Sequence, residues 1–446
     1  MKNRTLIYNA RLVDRDIDVK NGALLIAGNK IEGFPSKEAV KKLLADDSVS
    51  KFDAKGCVVM PGFIDMHAHF RDPGLTYKED IKSGSMAAAA GGYTTVVLMP
   101  NTKPVVSSME QAERNNRKAE EAGFIQIFQS VSITKDFDGK TVNHLDEVDA
   151  KKVPLITEDG KEVTDTAVML KAMKKAAQKK LIVSCHCEDP YLAQESRALR
   201  KEALDLMHKN KGKPSAADKN KAVALLKESE ELLRMAEDLL TQRNIELARR
   251  AGCHLHLCHV STWKSLYELW NAKQEGVNIT AEITPHHIAL SGEKAPGIFN
   301  IVNPPLRKEN DTSLCIEALR NGTADVIATD HAPHSEEDKA SGAPGFSGLE
   351  TAFAVCNTVL VKENAFTLKK LSALMSANPA ELLGLKDRGL LQEGLRGDLV
   401  IVDADKVWTV RGEEFASKGK FTPFEGKKLA GEIEATFHNG NLVFQN

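Results

Sequence analysis

Six short runs in the middle of the chain share one design. GYTTVVLMPNT, KVPLITEDG, KLIVSCHCED, CHLHLCHVST, VNITAEITPHH and ADVIATDHAPH each open on aliphatic or β-branched residues and close on polar ones, among them His, Asp, Asn and Thr. Helical patterns separate them, such as TDTAVMLKAMKKAAQKK, which sets Met169, Leu170, Met173, Ala176 and Ala177 on one face. Strand-like runs alternating with helices predict a parallel α/β arrangement. In a (β/α)8 barrel the carboxyl ends of the strands form the active-site face, so strands that are apolar first and polar last fit that fold. A doubly wound sheet would also put ligands at strand ends, but no GxGxxG opens a helix here, and the barrel is preferred.

The barrel pattern runs from about residue 55 to about residue 390, and both ends outside it look different. Residues 5 to 34 read as short strands broken at Asn21-Gly22 and Gly28-Asn29, while GDLVIVDAD and TFHNGNLVF, with Asn439-Gly440 as a hairpin turn, repeat that style. Residues 1–54 and 391–446 are therefore expected to form one β-rich module, interrupted by the barrel at 55–390. Between Lys201 and Gly252 the chain is heavily charged. HKNKGKPSAADKNK is expected to be a solvated loop, and ELLRMAEDLLTQRNIELARRAG an amphipathic helix packing through Leu232, Leu233, Ala236, Leu239 and Leu240.

Composition narrows the partners. With 60 basic and 62 acidic residues the formal net charge is −2, which gives no electrostatic reason to expect nucleic acid or an anionic membrane, and a small-molecule substrate fits better. The amino terminus lacks the apolar stretch of a signal peptide, and no run approaches the roughly 18 apolar residues of a membrane span, so a cytoplasmic location is expected. Seven cysteines without a CxxC pair argue for reduced, buried thiols. Aromatic residues make up 5% of the chain and suggest no interface stripe.

Metal chemistry enters at GFIDMHAHFRDPG. Residues two apart on a strand point to one side, so His67 and His69 converge while Met66 and Ala68 face away. Strand-end candidates recur at His186, His259 and Asp330, and neutral imidazole with carboxylate is a donor set suited to Zn²⁺ in a hydrolytic site. Cys185 and Cys187 flank His186 and should point away from it, as Cys258 should from His259; all three are read as buried thiols. His254 and His256 stand at odd offsets from His259 and are read as packing residues. Spacing assigns no role to His286, His287 or His331.

Taken in order, PGFIDMHAHFRDPG, MPNT, TEDG, HCED, CHVST, TPHH, NPPLR and ATDHAPH closely resemble the class I dihydroorotases of the amidohydrolase superfamily. The resemblance implies a distorted (β/α)8 barrel with a small β-sandwich built from both chain ends. It implies two zinc ions, His67, His69 and Asp330 holding one, His186 and His259 the other, with Asp159 and a water or hydroxide bridging them. TEDG carries Glu158 where a second Asp is more usual, which leaves open whether Glu158 shares the bridging role; FRDPG likewise carries Asp72 where Glu usually follows the arginine.

The activity implied is the reversible interconversion of N-carbamoyl-L-aspartate and L-dihydroorotate plus water, in pyrimidine synthesis. Asp330 is the expected base and acid. Arg71, two residues past His69, offers a planar fork for the substrate carboxylate, and by resemblance Asn101, Asn303 and His334 complete substrate binding. SEEDKASGAPGFSGLE has the composition of a segment able to close over the site, but its residues depart from the family pattern near Pro344 and Gly345. Family habit also suggests a homodimer and an association with aspartate transcarbamoylase. Two rivals are a cyclic-amide hydrolase of another specificity, such as a dihydropyrimidinase or allantoinase, and a metal-free scaffold; FRDPG, MPNT and the full ligand set favour the dihydroorotase reading.

Overall fold

Alternating apolar residues at the amino end build the interior of a sheet. The computed structural model describes residues 4–292 and 301–446, the side chains at 210 and 211 excepted. Strand β1 (Arg4–Val13) pairs antiparallel with β2 (Asp18–Ala27), which pairs with β3 (Lys30–Gly33). The two halves of β1 pair in parallel with β4 (Val49–Asp53) and β5 (Val58–Pro61). Leu24 and Ile26 join a core with Ile7, Val59, Leu399 and Phe437, whereas Ala23 and Leu25 turn to a second one with Leu6 and Val49, on which the helix Lys37–Ala45 rests. The period of two thus fills both faces of the sheet.

Gly62 carries the chain from this sheet into the barrel. A Cβ there would lie 2.4 Å from the Thr94 side chain, so only glycine permits the approach. The barrel strands follow: β6 (Phe63–Ala68), β7 (Tyr93–Leu98), β8 (Gln126–Gln129), β9 (Val131–Ser132), β10 (Leu155–Thr157), β11 (Ile182–Cys185), β12 (His254–Leu257), β13 (Ile279–Ile283) and β14 (Val326–Ile327). Each sequential pair is parallel, apart from the break at Ser130 between β8 and β9. A parallel bridge from Ala68 to His331, with the His69 amide donating to the His331 carbonyl at 2.8 Å, joins the last strand to the first. With β8 and β9 counted as one interrupted strand, eight parallel strands close a distorted (β/α)8 barrel among the described residues.

The chain then returns to the first sheet. Strands β15 (Leu399–Thr409), β16 (Lys428–His438) and β17 (Asn441–Gln445) add to it in the order β17-β16-β15-β5-β1-β2-β3, with β15 antiparallel to β5. Both chain ends contribute strands to this one sheet. It takes in Val58–Pro61, which the expected division placed with the barrel.

Asn21-Gly22 does not end a strand but lies inside β2, where Asn21 takes a left-handed φ of 54° and the pairing with β1 shifts register. Three further expectations need correction. HKNKGKPSAADKNK is mostly helical: the helix Pro190–Gly212 runs into it, and the helix Ala216–Ala251 starts within it. Ser215 caps the second helix by accepting from the Asp218 amide, and the few apolar residues, Ala203, Leu206 and Ala222, pack together between the two. Further along that helix Leu233, Ala236 and Leu240 are buried in steps of three and four, a stripe that misses Leu239, which is 46% exposed. Finally, a low aromatic content does conceal a stripe. Trp263, Tyr267 and Trp270 stand about half exposed along the helix Trp263–Gln274, the last two rings stacked at 6.4 Å. No described helix is long and apolar enough to cross a membrane.

Candidate metal and substrate site

Strands β6, β10, β11, β12 and β14 end at one place; His67 is carried by β6 itself and the other candidate ligands by the residues that follow the strands. His67 and His69 lie with ring centroids 5.3 Å apart, while Met66 and Ala68 pack into apolar clusters. His69 Nε2 is 3.1 Å from Asp330 Oδ1 and 3.5 Å from Asp159 Oδ2. His67 Nε2 faces the same two carboxylates at 3.4 and 3.5 Å, buried and without a hydrogen-bond partner. His186 Nδ1 is 2.8 Å from His259 Nε2 and 3.6 Å from Asp159 Oδ1. The structure thus brings His67, His69, Asp159, His186, His259 and Asp330 into one buried cluster.

Asp159 and Glu158 part company after β10. The Asp159 carboxylate turns into the histidines, whereas Glu158 accepts from the Thr134 hydroxyl and, at 2.9 Å, from the Thr134 amide. Burial pushes the Glu158 carboxyl up to about 8. For Asp159 and Asp330 burial acts in the same direction, but the surrounding imidazoles outweigh it and hold both below the usual carboxylate range. In return His186 is raised to about 9, since Glu188 and Asp159 overcome the opposing effect of burial. Burial and the neighbouring His186 push His259 down to about 4. Buried carboxylates of this kind require positive charge close by, and a divalent cation supplies it as well as protonated imidazole does.

Two sets of three ligand atoms lie within 4.8 Å of one another here: His67, His69 and Asp330, and His67, Asp159 and His259. A third set, His67, Cys258 and Glu282, lies within the same limit. Its members are otherwise engaged, because burial beside Glu282 pushes the Cys258 thiol up to about 12 and Ser184 pairs with the sulfur at 2.9 Å. Cys185 and Cys187 sit in the apolar core.

Glu282 was not singled out by sequence reasoning. It accepts from His67 Nδ1 at 2.6 Å, from His256 Nε2 at 3.1 Å and from the His259 amide at 3.1 Å. With Nδ1–H donating to Glu282, the His67 ring presents its Nε2 lone pair to the cluster. The available signal was a lone carboxylate inside the apolar run NITAEI, since a buried charge needs partners. His256 is therefore one step behind the cluster, and His254 bonds Thr280 at 2.9 Å. His331 accepts from the Gly348 amide, and His287 bonds Thr284 and the Pro304 carbonyl.

A cavity of about 490 Å³ opens over the cluster, lined by His69, Asp159, His186, His259 and Asp330, with Arg71, Asn101, Asn303 and His334 on its walls. Asn101 spans two of these groups, its Oδ1 3.0 Å from His69 Nδ1 and its Nδ2 donating to Asp159 Oδ2 at 3.0 Å. Arg71 donates only to the Pro333 carbonyl at 3.4 Å and packs 3.4 Å from His334 Nε2, with no carboxylate in salt-bridge range among the described residues. Burial, with Arg71 and Lys78 beside it, pushes His334 down to about 3, so the ring is neutral. It accepts from Lys78 at Nδ1 and donates from Nε2 to the Pro344 carbonyl. Ser341, Gly342, Pro344 and Gly345 line the cavity.

Arg71, His259 and Asp330 all adopt left-handed backbone conformations, with φ of 58°, 32° and 49°. Such conformations cost about 1–3 kcal/mol each in non-glycine residues and cluster where function over-determines the geometry.

An amidohydrolase family model matches residues 58–443. The chain is 42% identical to a dihydroorotase of Clostridium botulinum over 442 residues, 99% of each protein, and 37% identical to one of Lactobacillus acidophilus, covering 100% of this chain and 98% of that one. Among solved structures, an L-hydantoinase (dihydropyrimidinase) of Arthrobacter aurescens superposes with a TM-score of 0.82 at 25% identity, over 99% of this chain and 96% of that one. A dihydropyrimidinase of Brevibacillus agri gives the same TM-score at 21% identity, over 99% and 95%, a likeness of fold. By a family match across most of its length and by relatives aligned from end to end, the chain belongs to the amidohydrolase family and, within it, to the dihydroorotases.

Proposed function

We propose that this protein interconverts N-carbamoyl-L-aspartate and L-dihydroorotate with two zinc ions, as a ring-closing step of pyrimidine synthesis. The observation that carries the reading is a buried cluster of carboxylates and imidazoles beneath a cavity, in which, among the described residues, His67 Nε2 has no hydrogen-bond partner and Arg71 no carboxylate partner. Donor set, burial and the unpartnered nitrogen all fit divalent metal held by His67, His69 and Asp330 on one side and by His186 and His259 on the other, with Asp159 between. When bound, the ions supply Lewis acidity towards the scissile carbonyl and bring the pKa of a water towards neutrality.

The residues of the chain do the rest. Asp330, ionised and lining the cavity, takes a proton and returns it to the leaving ring nitrogen. Glu282 fixes the His67 tautomer, and Asn101 ties His69 to Asp159. Arg71 pairs its fork with the substrate carboxylate, with His334 beside it, and Asn303 lines the same cavity. A homodimer and an association with aspartate transcarbamoylase belong to the same proposal, checked by sizing the protein with and without that partner.

The deciding experiment incubates metal-analysed protein with L-dihydroorotate, follows ultraviolet loss of the ring, and runs hydantoin and dihydrouracil in parallel. Turnover of dihydroorotate alone, lost on chelation and restored by Zn²⁺, is the expected result. Preference for a neutral ring would reassign the substrate, and protein that binds no metal would overturn the reading. Arg71→Lys is expected to raise KM for dihydroorotate about tenfold with a smaller effect on kcat, because a point charge replaces a two-point fork. An unchanged KM would remove Arg71 from carboxylate binding.

A further inference from the structure

Arg200 stands on the helix Pro190–Gly212, outside the barrel strands, yet its guanidinium reaches the same cavity as Arg71 and Asp330. Its Nη1 donates to Asn303 Oδ1 at 2.9 Å, and among the described residues no carboxylate comes within the 4.0 Å of a salt bridge to it. Burial pulls the group down to about 10, with Glu188 opposing, so it remains cationic at neutral pH. Glu188 is itself shared with His186, at 3.8 Å.

This contact settles which way the Asn303 amide faces. An arginine has five N–H donors and no acceptor, so it can hold only the oxygen of the amide. One lone pair of the Asn303 oxygen is thereby engaged and the oxygen is held towards Arg200, which leaves the NH2 as the group of this cavity-lining residue that is free to donate. Freed from Arg200, the amide can turn over and present an acceptor to a substrate rich in carbonyl and carboxylate oxygens, where two acceptors repel.

We propose that Arg200 is a positioning residue that locks the Asn303 amide as a hydrogen-bond donor towards an oxygen of the substrate. The inference rests on the dihydroorotase reading of the site and assigns a role to a residue outside its metal cluster. It also gives the helix Pro190–Gly212 a part in specificity.

The test is a double-mutant cycle on the metal-replete enzyme: Arg200→Gln, Asn303→Ala and the pair, with KM and kcat for dihydroorotate and the melting temperature of each. Arg200→Gln is expected to raise KM about tenfold to a hundredfold with a smaller change in kcat. Adding it to Asn303→Ala should change KM no further. Asn303→Asp serves as the variant that keeps the fold, since its carboxylate pairs with Arg200 but cannot donate; it should melt no lower than wild type and lose affinity by a similar factor. Wild-type turnover with unchanged KM in Arg200→Gln, additive effects in the cycle, or full affinity in Asn303→Asp would each overturn the assignment. A metal-replete wild type inactive on dihydroorotate would instead overturn the reading beneath it, and the assignment with it.

Discussion

An Asp330→Asn variant is expected to fold, to retain most of its metal and to lose turnover of dihydroorotate by about 10⁴-fold, the upper range for removal of a general acid–base group. Asparagine has the same shape and can still accept at the position 3.1 Å from His69 Nε2. What it cannot do is take up a proton and give it back. Two observations support the proposal that Asp330 is the proton carrier rather than a passive ligand. Burial alone would raise its pKa, but His67, His69 and His259 hold the group ionised, and it lines the cavity whereas His67 stands behind it. The measurement is kcat beside metal content and a circular dichroism melt. Activity within a few-fold of wild type would end the assignment, and loss of all metal would recast Asp330 as chiefly a ligand.

The second large effect separates two neighbours. Asp159→Asn is expected to weaken metal retention by about 10²–10³-fold, as when one charge is removed from a buried, mutually compensated set, and to remove activity with it. Glu158→Gln should leave metal content and turnover near wild type. Asp159 lies within 3.4–3.6 Å of ring nitrogens of His67, His69 and His186, whereas Glu158 is engaged with Thr134. Titrating both variants with Zn²⁺ decides between them. If Glu158→Gln loses the metal and Asp159→Asn keeps it, the bridging role moves one residue back.

Some of this was legible in the sequence because the geometry behind it is regular. A strand has period two, so His67 and His69 had to share a side, and the polar close of each apolar run located His186, His259 and Asp330 at strand ends. The choice between Glu158 and Asp159 was not legible, since both fall in the turn after β10, where no period says which side chain enters the site. Glu282 escaped notice because one carboxylate in a strand looks the same in sequence whether it meets solvent or three buried donors. Arg200 escaped for a different reason: in a charged stretch every cation looks solvated until the packing of Ala203 and Leu206 against Ala222 fixes the helix that carries it. Resemblance to a family supplied Asp159, Asn101, Asn303 and His334, which composition and spacing alone would have left as turn and loop residues.

The seam where β6 meets the end of β14 carries a consequence for how this protein is made. His67, His69 and Arg71 emerge early in translation on one side of that seam, and Asp330 and His334 arrive some 260 residues later on the other, joined by the Ala68–His331 bridge. A nascent or truncated chain can therefore hold nearly all of the barrel and still lack the Asp330 carboxylate beside its first two histidines. On the proposed reading of the site, turnover therefore requires that the ring has shut, so an activity assay reads complete synthesis and correct closure together.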